Sequence, residues 1–521
     1  MSITTAALLK EALPAEHRDR FVAVADIRRG ADTPAALRRE NHNERLQQQL
    51  DAEVVRRMAP LRDGGLGKLP ADSTPARPDD PLVAAADRWY ARQADEFLMP
   101  QRLAESGFRM LDWPQTLPLT PASAAGHTAA EPLFADPRDF LEAFEEGLSL
   151  WRGPAGSSTG SLLVLGVGGG AATRAKKYLP LYPDYMQRYG VTEETPRVLY
   201  PIMGTERTFK GMIMTALAGY ARHLGIDLPH TEMITAPLAS RFTRHLREHP
   251  EAPQWDDNTL LWTQQTLQRY ALDDPGTRVP GLLAAGHADV MKLSLDFGLL
   301  AAARRLGITR WALSNGDEFL WYYLAPALMA KLERRRQGMF MFAVPNANNQ
   351  FGGCFREDGL QVETPLLPFP LVQAKVAPSV LNTTFALGQL APLEEGGRRL
   401  AAQAPDLSFD VKTMWVGGRY VNLAGYDNWM GTEATKYTLA GGGTVGVGVM
   451  ARNLFLGFKG PQHAADTQPQ SFLGGLSYSA FYTRMATRMP EVIATLTRGT
   501  AGDKRALADR LFTANFELLG V

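Results

Sequence analysis

A short aliphatic run followed by glycines offers the first chemistry in this sequence. Residues Leu162–Leu165 predict a buried parallel strand, and Gly168–Gly170 predict a tight turn after it. Because glycine has no Cβ atom, backbone N–H groups in such a turn can approach an anion closely. Thr173 and Arg174 follow and would add a hydroxyl group and a cation. The stretch predicts a phosphate-binding turn, with a purely structural turn as the alternative.

A carboxylate follows a second predicted strand. Asp317 comes shortly after the apolar run Trp311–Ser314, and in open α/β sheets ligands bind at the carboxyl ends of strands. An Asp there can hold Mg²⁺, because this cation prefers carboxylate and phosphate oxygens. The alternative is a turn or capping Asp before the helix predicted at Phe319. We therefore interpret Asp317 as a candidate metal ligand.

Several other short motifs carry polar or glycine residues and are unspecific singly. A Gly-His pair before a predicted helix can present backbone and imidazole to a base or sugar, although a lone His is more often a cap partner. A Gly-Gly pair, a glutamate and an Asn-Thr pair follow further along the chain. These residues are Gly286 and His287, then Gly353, Glu363, Asn382 and Thr383.

Short apolar runs alternate with helical patterns from Ser161 onward, which is typical of a parallel α/β sheet. The predicted strands are Leu162–Leu165, Val198–Ile202, Trp311–Ser314 and Met339–Val344. The predicted helices are Thr208–Leu224, Ala239–Arg247, Phe297–Leu306 and Leu324–Arg335. A hairpin is predicted over residues 414–423, around Gly417 and Gly418.

Three segments are predicted along the chain. Residues 1–155 read as a helical N-terminal segment that caps the rest, 156–437 as the catalytic domain, and 438–521 as a Gly-rich stretch with a helical C-terminal region. Residues 441–448 are glycine-dense and predict either a mobile loop or a tightly bent strand pair. The helical tail is expected to pack as a cap or a dimer contact.

Composition limits the classes of function. The 521 residues carry 55 basic and 55 acidic side chains, so bulk charge does not favour nucleic acid or a membrane surface as a partner. The one cysteine, Cys354, excludes an intramolecular disulfide and a Cys-rich zinc site. No apolar stretch approaches the length of a membrane span, and no signal-peptide pattern opens the chain. We expect a cytoplasmic protein.

The order of the motifs is more specific than any one of them. After the glycine-rich turn they are PRVLYPI (196–202), TFKGMI (208–213), GHADV (286–290), FGLL (297–300), SNGDEF (314–319), FGG (351–353), ETPLLP (363–368) and LNTTFALGQL (381–390). This succession resembles the UDP-glucose pyrophosphorylase family of sugar-1-phosphate uridylyltransferases, together with the related UDP-sugar and UDP-N-acetylhexosamine pyrophosphorylases. The resemblance covers about residues 160–437.

The resemblance implies a fold and a reaction. The fold is an α/β Rossmann-like nucleotidyltransferase fold of the glycosyltransferase-A-like kind, with a mixed sheet. The reaction is UTP plus a sugar 1-phosphate giving a UDP-sugar and diphosphate, with Mg²⁺ as cofactor and a monomer or homodimer as the expected state. Catalysis is then mostly alignment and charge neutralisation.

The resemblance also implies roles for individual residues. Those expected at the nucleotide are Gly168, Gly169, Gly170, Thr173, Gln264, Gly286, His287 and Asn315, with Gln264 at the uracil and Asn315 at the ribose or sugar. Those expected at the sugar and its phosphate are Gly353, Glu363, Asn382 and Thr383. Asp317 is the expected metal ligand, and the expected catalytic cations are Arg174, Arg197, Lys177 and Lys459.

The chain departs from the family pattern at several of these positions. Ala172 replaces a glycine of the turn, and Arg197 stands where the family usually has a phosphate-binding Lys, so Lys176 or Lys177 is expected to take over that role. Lys459 is the best candidate for a later family lysine. These departures leave a catalytically silent, nucleotide-sugar-binding relative as the alternative. An NAD-dependent dehydrogenase is disfavoured, since no acidic residue ends a second strand about 20 residues after the turn.

Overall fold

A computed structural model gives the fold of the chain. It describes residues 4–39, 41–42, 117–118, 131–168, 180, 183–192, 195–202, 205, 207–248, 258–271, 278–284, 289–316, 319–336, 338–345, 354–355, 361–362, 380–394, 411–416, 419–424, 446–449 and 476–513.

Sixteen strands and thirteen α-helices lie in these ranges. The strands are β1 Val22–Ala23, β2 Asn41–His42, β3 Leu117–Pro118, β4 Leu162–Val167, β5 His230–Ile234, β6 Thr259–Thr263, β7 Gln265–Ala271, β8 Arg278–Ala284, β9 Arg310–Asn315, β10 Met339–Pro345, β11 Cys354–Phe355, β12 Gln361–Val362, β13 Val380–Gln389, β14 Val411–Val416, β15 Arg419–Ala424 and β16 Gly446–Val449. The helices are α1 Thr5–Glu11, α2 Ala15–Arg18, α3 Val24–Arg29, α4 Ala35–Arg38, α5 Pro137–Trp151, α6 Pro183–Tyr189, α7 Phe209–Leu224, α8 Ala239–Glu248, α9 Asp289–Asp296, α10 Leu299–Arg305, α11 Leu320–Arg334, α12 Leu476–Arg498 and α13 Ala501–Thr513.

The main sheet has nine described strands in the order β1-β6-β5-β4-β9-β13-β10-β16-β3. Strands β6, β5, β4 and β9 are mutually parallel, whereas β13 runs antiparallel to both β9 and β10. The chain passes from β4 to β5 and β6 on one side of β4, and later places β9 on its other side. The strand order therefore reverses at β4, which makes the space between β4 and β9 a topological switch point.

Two apolar clusters cover the two faces of this sheet, and β4 contributes side chains to both. Leu162 and Val164 belong to the cluster with α5, α7, α11, α12 and α13. Leu163 and Leu165 belong to the cluster with α1, α9 and α10. A strand buried on both faces needs a continuous apolar sequence, because successive side chains point to opposite faces. The α/β fold class with a mixed sheet and C-terminal helices is thus confirmed.

One predicted strand is wrong. Residues 198–202 do not form a strand; Arg197–Leu199 is a 3-10 helix, and Pro201 makes only an isolated bridge to Thr208. The segment is apolar because Val198 and Leu199 are buried in a third apolar cluster with α3, α4 and α8. Residues 198–202 could not pair with β4 in any case, because β5 and β9 already pair with its two edges. Burial, and not strand pairing, accounts for the hydrophobicity here.

The N-terminal segment contributes directly to the main sheet and its core. Strand β1 pairs with β6, and Phe21 stacks on Trp262 with ring centroids 5.4 Å apart. At the other end of the chain, α12 and α13 place apolar side chains such as Met489 and Leu507 in the core. The predicted boundaries at residues 155 and 437 stay predictions.

A second described sheet contains the predicted hairpin. Strands β14 and β15 pair with Val416 opposite Arg419, as the Gly-Gly turn predicts, and the strand order is β15-β14-β7-β2 with β8 also on β7. Within the glycine-dense stretch, Gly446–Val449 forms β16, parallel to β10 in the main sheet. No helix among the described residues has the length and apolar character needed to span a membrane.

Candidate functional site

The candidate site lies where the parallel strands of the main sheet end, here called the carboxyl edge. Val167, the last residue of β4, pairs with Asn315, the last residue of β9. Gly168 and Gly316 follow these two residues directly. The entry to the glycine-rich run and the strand end that precedes Asp317 are therefore neighbours at the switch point.

The segment that contains Arg197 packs against the same strand end. A Cβ atom at Gly316 would overlap the side chain of Val198, so glycine is required for the 3-10 helix to lie this close. Tyr185 of α6 holds the following residues, since its hydroxyl group donates to the Pro201 carbonyl at 2.7 Å. The backbone of Arg197 thus lies at the end of β9. Its side chain is outside the described residues.

Two further strands bring predicted residues to this edge. Gln264 follows β6, is buried, and donates its backbone N–H to the Ile234 carbonyl at the end of β5 (2.8 Å). On β13, Asn382 pairs with Ala343 of β10. Because β13 is antiparallel to β9, with Ala386 opposite Leu313, its earlier residues extend toward the carboxyl edge. The backbone of Asn382 and Thr383 therefore lies at the carboxyl edge of the sheet.

The other predicted site residues lie outside the described residues. They are Gly169, Gly170, Thr173, Arg174, Lys177, Gly286, His287, Asp317, Gly353, Glu363 and Lys459. Their roles stay predictions.

A buried charged cluster lies beside the carboxyl edge, and the sequence interpretation missed it. Lys210 of α7 makes an ion pair with Glu232 of β5, and His230 Nε2 lies 2.8 Å from Lys210 Nζ and 3.1 Å from Glu232 Oε2. The side chains of Lys210 and Glu232 are 0% exposed and that of His230 is 1% exposed. On the far side of the imidazole, His230 Nδ1 lies 3.1 Å from Thr259 Oγ1. The detectable signal was the charge of Lys210 within the otherwise apolar start of α7.

The start of α7 is fixed by its N-cap. Thr208 Oγ1 accepts a hydrogen bond from the Gly211 N–H group at 3.1 Å, which satisfies one of the free donors of the first turn. The Ile202 N–H group donates to the Arg207 carbonyl at 2.7 Å and closes the connection before the helix. Lys210, in the first turn of α7, is directed in this way at Glu232.

Burial and mutual contact set the charges in the cluster. Burial lowers the pKa of His230 from 6.5 to about 4; the charge of Lys210 adds to this, and Glu232 opposes it. Burial would raise the pKa of Glu232, but Lys210 and His230 outweigh it and the pKa is lowered. Burial lowers the pKa of Lys210, against the influence of Glu232. At neutral pH we expect a Lys–Glu ion pair beside a neutral imidazole, whose Nε2 lies within hydrogen-bond distance of both partners and whose Nδ1 lies within hydrogen-bond distance of Thr259.

The glycines at the end of β4 are explained by this cluster. Glu232 is the register partner of Gly166. A Cβ atom at Gly166 would overlap Glu232 Oε2, and one at Gly168 would overlap Glu232 Oε1. These two glycines therefore allow close approach of a carboxylate that belongs to the protein itself. Phosphate contact by the later glycines stays a prediction.

Taken together, the edge combines three features that suit an anionic ligand with a metal ion. A glycine-rich run leaves one strand, an Asn-Gly-Asp sequence leaves its neighbour, and the 3-10 helix with Arg197 packs against Gly316 at the end of that neighbour. Such an edge can hold a phosphate chain by backbone N–H groups, oxygen ligands and a guanidinium group. Among the described residues, no three His, Cys, Asp or Glu side chains are grouped to hold a metal ion by themselves.

Comparisons with known proteins give structural likeness only. No protein-family profile matches the chain, and no curated protein matches it. A solved UDP-N-acetylglucosamine pyrophosphorylase from Trypanosoma brucei is similar over 79% of this chain and 91% of its own, at 11% identity and a TM-score of 0.47. A UDP-glucose pyrophosphorylase from Leishmania major is similar over 77% and 74% respectively, at 12% identity and a TM-score of 0.41.

A third similar structure is that of a putative UDP-N-acetylglucosamine pyrophosphorylase from Entamoeba histolytica. The likeness covers 49% of this chain at 15% identity and a TM-score of 0.38. The chain spans 64% of the length of that protein.

Proposed function

We propose that this protein is a nucleotidyltransferase that forms a UDP-sugar and diphosphate from UTP and a sugar 1-phosphate. The sugar phosphate is glucose 1-phosphate or a related hexose or cyclitol phosphate. The observation that carries the proposal is the pairing of Val167 with Asn315 at the switch point, which makes the glycine-rich run and the Asn-Gly-Asp sequence neighbours. The order of the sequence motifs supports the same reaction.

In the proposed reaction, an oxygen of the sugar phosphate attacks the α-phosphorus of UTP. The bond from that phosphorus to the bridging oxygen breaks, and diphosphate leaves with the electron pair. No general base is required, because the attacking oxygen is already ionised at neutral pH. The protein's task is to align the two phosphates and to offset the charge that builds up on the leaving group.

The residues of the chain have separate tasks in this proposal. The backbone after Gly168 and the hydroxyl group of Thr173 bind the triphosphate, and Gln264 binds the uracil. Asn315 orients the ribose or sugar. The residues that bind the sugar phosphate are Gly353, Glu363, Asn382 and Thr383. Arg174, Arg197 and Lys177 supply the positive charge that the departing diphosphate needs.

Mg²⁺ is the cofactor of the proposed reaction. Asp317 would hold it together with phosphate oxygens, the ligand set that Mg²⁺ prefers. When bound, the ion supplies charge neutralisation at the phosphates.

Diphosphate release tests the proposal. The protein is incubated with UTP, Mg²⁺ and a panel of sugar 1-phosphates, and release is expected with at least one of them. Asp317→Asn should reduce the rate about a hundredfold or more, equal to about 3 kcal/mol of transition-state stabilisation. Asp509→Asn, on α13 with its side chain 47% exposed, is the matched control and should leave the rate unchanged. Nucleotide-sugar binding without release under any condition would favour the silent relative.

A further inference from the structure

The cluster of Lys210, Glu232 and His230 has no task in the reaction proposed above. It nevertheless contacts the end of β4, where the glycine-rich run begins. Glu232 is paired with Gly166, and its two carboxylate oxygens fill the space that side chains at Gly166 and Gly168 would need. The backbone position at the end of β4 is therefore tied to the position of one carboxylate.

The fold by itself gives no reason for charges at this place. Removing an ion from water costs several kcal/mol, and buried ion pairs can often be replaced by apolar residues with equal or greater stability. Lys210 and Glu232 are both fully buried, and apolar residues surround them on β4 and α7. Ionisable groups with strongly perturbed pKa values are concentrated at functional sites.

One oxygen of Glu232 faces Gly168 and lacks a donor among the described residues. Among the described residues, Glu232 Oε1 has no hydrogen-bond partner, and it is the oxygen that faces Gly168. The N–H group of Gly168 is already used, since it donates to the Met233 carbonyl at 3.0 Å. A buried acceptor without a donor leaves its desolvation uncompensated. The uncompensated oxygen lies against Gly168, where the glycine-rich run begins.

We propose that Glu232 is a positioning residue of the phosphate-binding turn, held against Gly166 and Gly168 by Lys210 and His230. The proposal rests on the nucleotide-binding role proposed above. The carboxylate fixes the backbone from which the turn leaves the sheet. Lys210 has a second effect, because its charge cancels that of Glu232; an unpaired carboxylate at this depth would repel the phosphates strongly.

The test separates positioning from stability. In the double variant Lys210→Met/Glu232→Leu, apolar side chains of similar size replace the pair, so the thermal midpoint should stay near that of the wild type or rise. The Kd for UTP with Mg²⁺, measured by calorimetry, should rise about ten- to a hundredfold, as is typical when support for a binding group is lost. Without nucleotide, tryptic cleavage after Arg174, Lys176 and Lys177 should be faster, as read by mass spectrometry.

Two further variants serve as controls. Glu232→Gln keeps the shape of the side chain and an oxygen at the glycines. Lys210, left without its partner at this depth, is expected to lose its proton, so the cluster stays neutral and the Kd, measured where circular dichroism shows the variant to be folded, should stay within about threefold of the wild type. Arg310→Met/Glu333→Leu removes a partly buried pair (2.9 Å) at the opposite end of β9, and should change neither the Kd nor the cleavage of residues 174–177.

The outcomes are distinguishable. A folded double variant with unchanged affinity and cleavage, or one that fails to fold, would contradict the proposal, because the cluster would then serve the fold alone. If the wild-type protein binds no UTP, the proposed function fails. The cleavage comparison between the double variant and the wild type still decides whether Glu232 positions the turn.

Discussion

At the scale of single residues, the carboxyl edge depends on a few side chains that tolerate little change. Gly166 and Gly316 are required because Glu232 and Val198 occupy the space of their missing side chains. Ser314, the residue before Asn315, is buried and lies 2.9 Å from the Tyr322 hydroxyl group of α11. These contacts hold the carboxyl ends of β4 and β9 in place, so the residues that follow start from defined positions.

The buried imidazole predicts how stability changes with pH. Because the pKa of His230 falls from 6.5 to about 4 on folding, the unfolded chain binds a proton in this range that the folded chain does not. The free energy of unfolding should therefore decrease as the pH falls from 6.5 to 4, by about 3 kcal/mol from this group alone. Urea unfolding at a series of pH values measures it.

His230→Gln provides the control for this dependence. Glutamine keeps a polar atom near Lys210 but does not titrate, so the loss of stability between pH 6.5 and 4 should be smaller in this variant. Glu232, whose pKa is also lowered, loses its contribution at lower pH, below its ordinary value of 4.5. Equal pH profiles for the two proteins would show that His230 is not the responsible group.

At the scale of elements, the helices that cover the sheet are fitted to one another by backbone contact. Gly147 of α5 lies against the Pro326 carbonyl of α11, where a Cβ atom would overlap the backbone oxygen. Ion pairs flank this contact, with Lys331 Nζ 2.6 Å from Asp139 and Arg334 2.6 Å from Glu146. The contact sets how closely α5 packs on α11, which follows β9 and its Asn-Gly-Asp sequence.

Gly147→Ala is expected to destabilise the protein despite the better helix propensity of alanine. Ala gains about 1 kcal/mol in a helix, but the clash with backbone forces α5 away from α11 and costs about 1–3 kcal/mol beyond that gain. Gly502→Ala, in α13, is the matched control because its added Cβ atom meets only Thr500 Oγ1 at 3.8 Å. It should be neutral or stabilising. Thermal unfolding of both variants measures the difference.

At the scale of the whole molecule, distant parts of the chain close the core around the carboxyl edge. Phe21, near the N-terminus, stacks on Trp262 of β6 and meets Phe297 edge to face at 6.2 Å. Helix α12 covers α7, which carries Lys210, through Met489 and Ile493, and α13 packs on α5. The described N-terminal residues and the two C-terminal helices thus complete the same structure.

Phe21→Ala tests this dependence. The ring is fully buried between elements far apart in the sequence, so its loss leaves a cavity and should cost about 3–5 kcal/mol. Leu8→Ala removes a side chain that is 36% exposed in α1 and should cost much less. Urea unfolding followed by tryptophan fluorescence compares the two. Similar losses for both would contradict the view that residues 4–39 complete the core.

Much of the fold was predictable from the sequence. Helix α7 was predicted to within one residue because its apolar face and N-cap are local signals, and the hairpin around Gly417 and Gly418 followed from its turn residues. The apolar strands β4, β9 and β10 were recognised because burial on both faces leaves a continuous apolar run. The motif order indicated the mixed sheet of this fold class.

Other features depended on neighbours that no local pattern reveals. Strand β5 was missed because His230, Thr231 and Glu232 are polar, although all three are buried. Residues 198–202 were predicted as a strand because apolar character alone does not distinguish strand pairing from burial in a turn. Gly166 was assigned no role, since the carboxylate that requires it lies on another strand.

The sequence by itself determined the fold class, the central strands and the residues that leave them, because these follow from hydrophobic periodicity and turn chemistry within short windows. Only the tertiary structure decided that β4 and β9 end side by side, since strand order depends on packing between distant segments. It also decided that a Lys–Glu–His cluster lies beneath the glycines. Buried charges are stable only when their partners are brought to them, and here Lys210 of α7 meets residues of β5 that follow it by 20 positions or more.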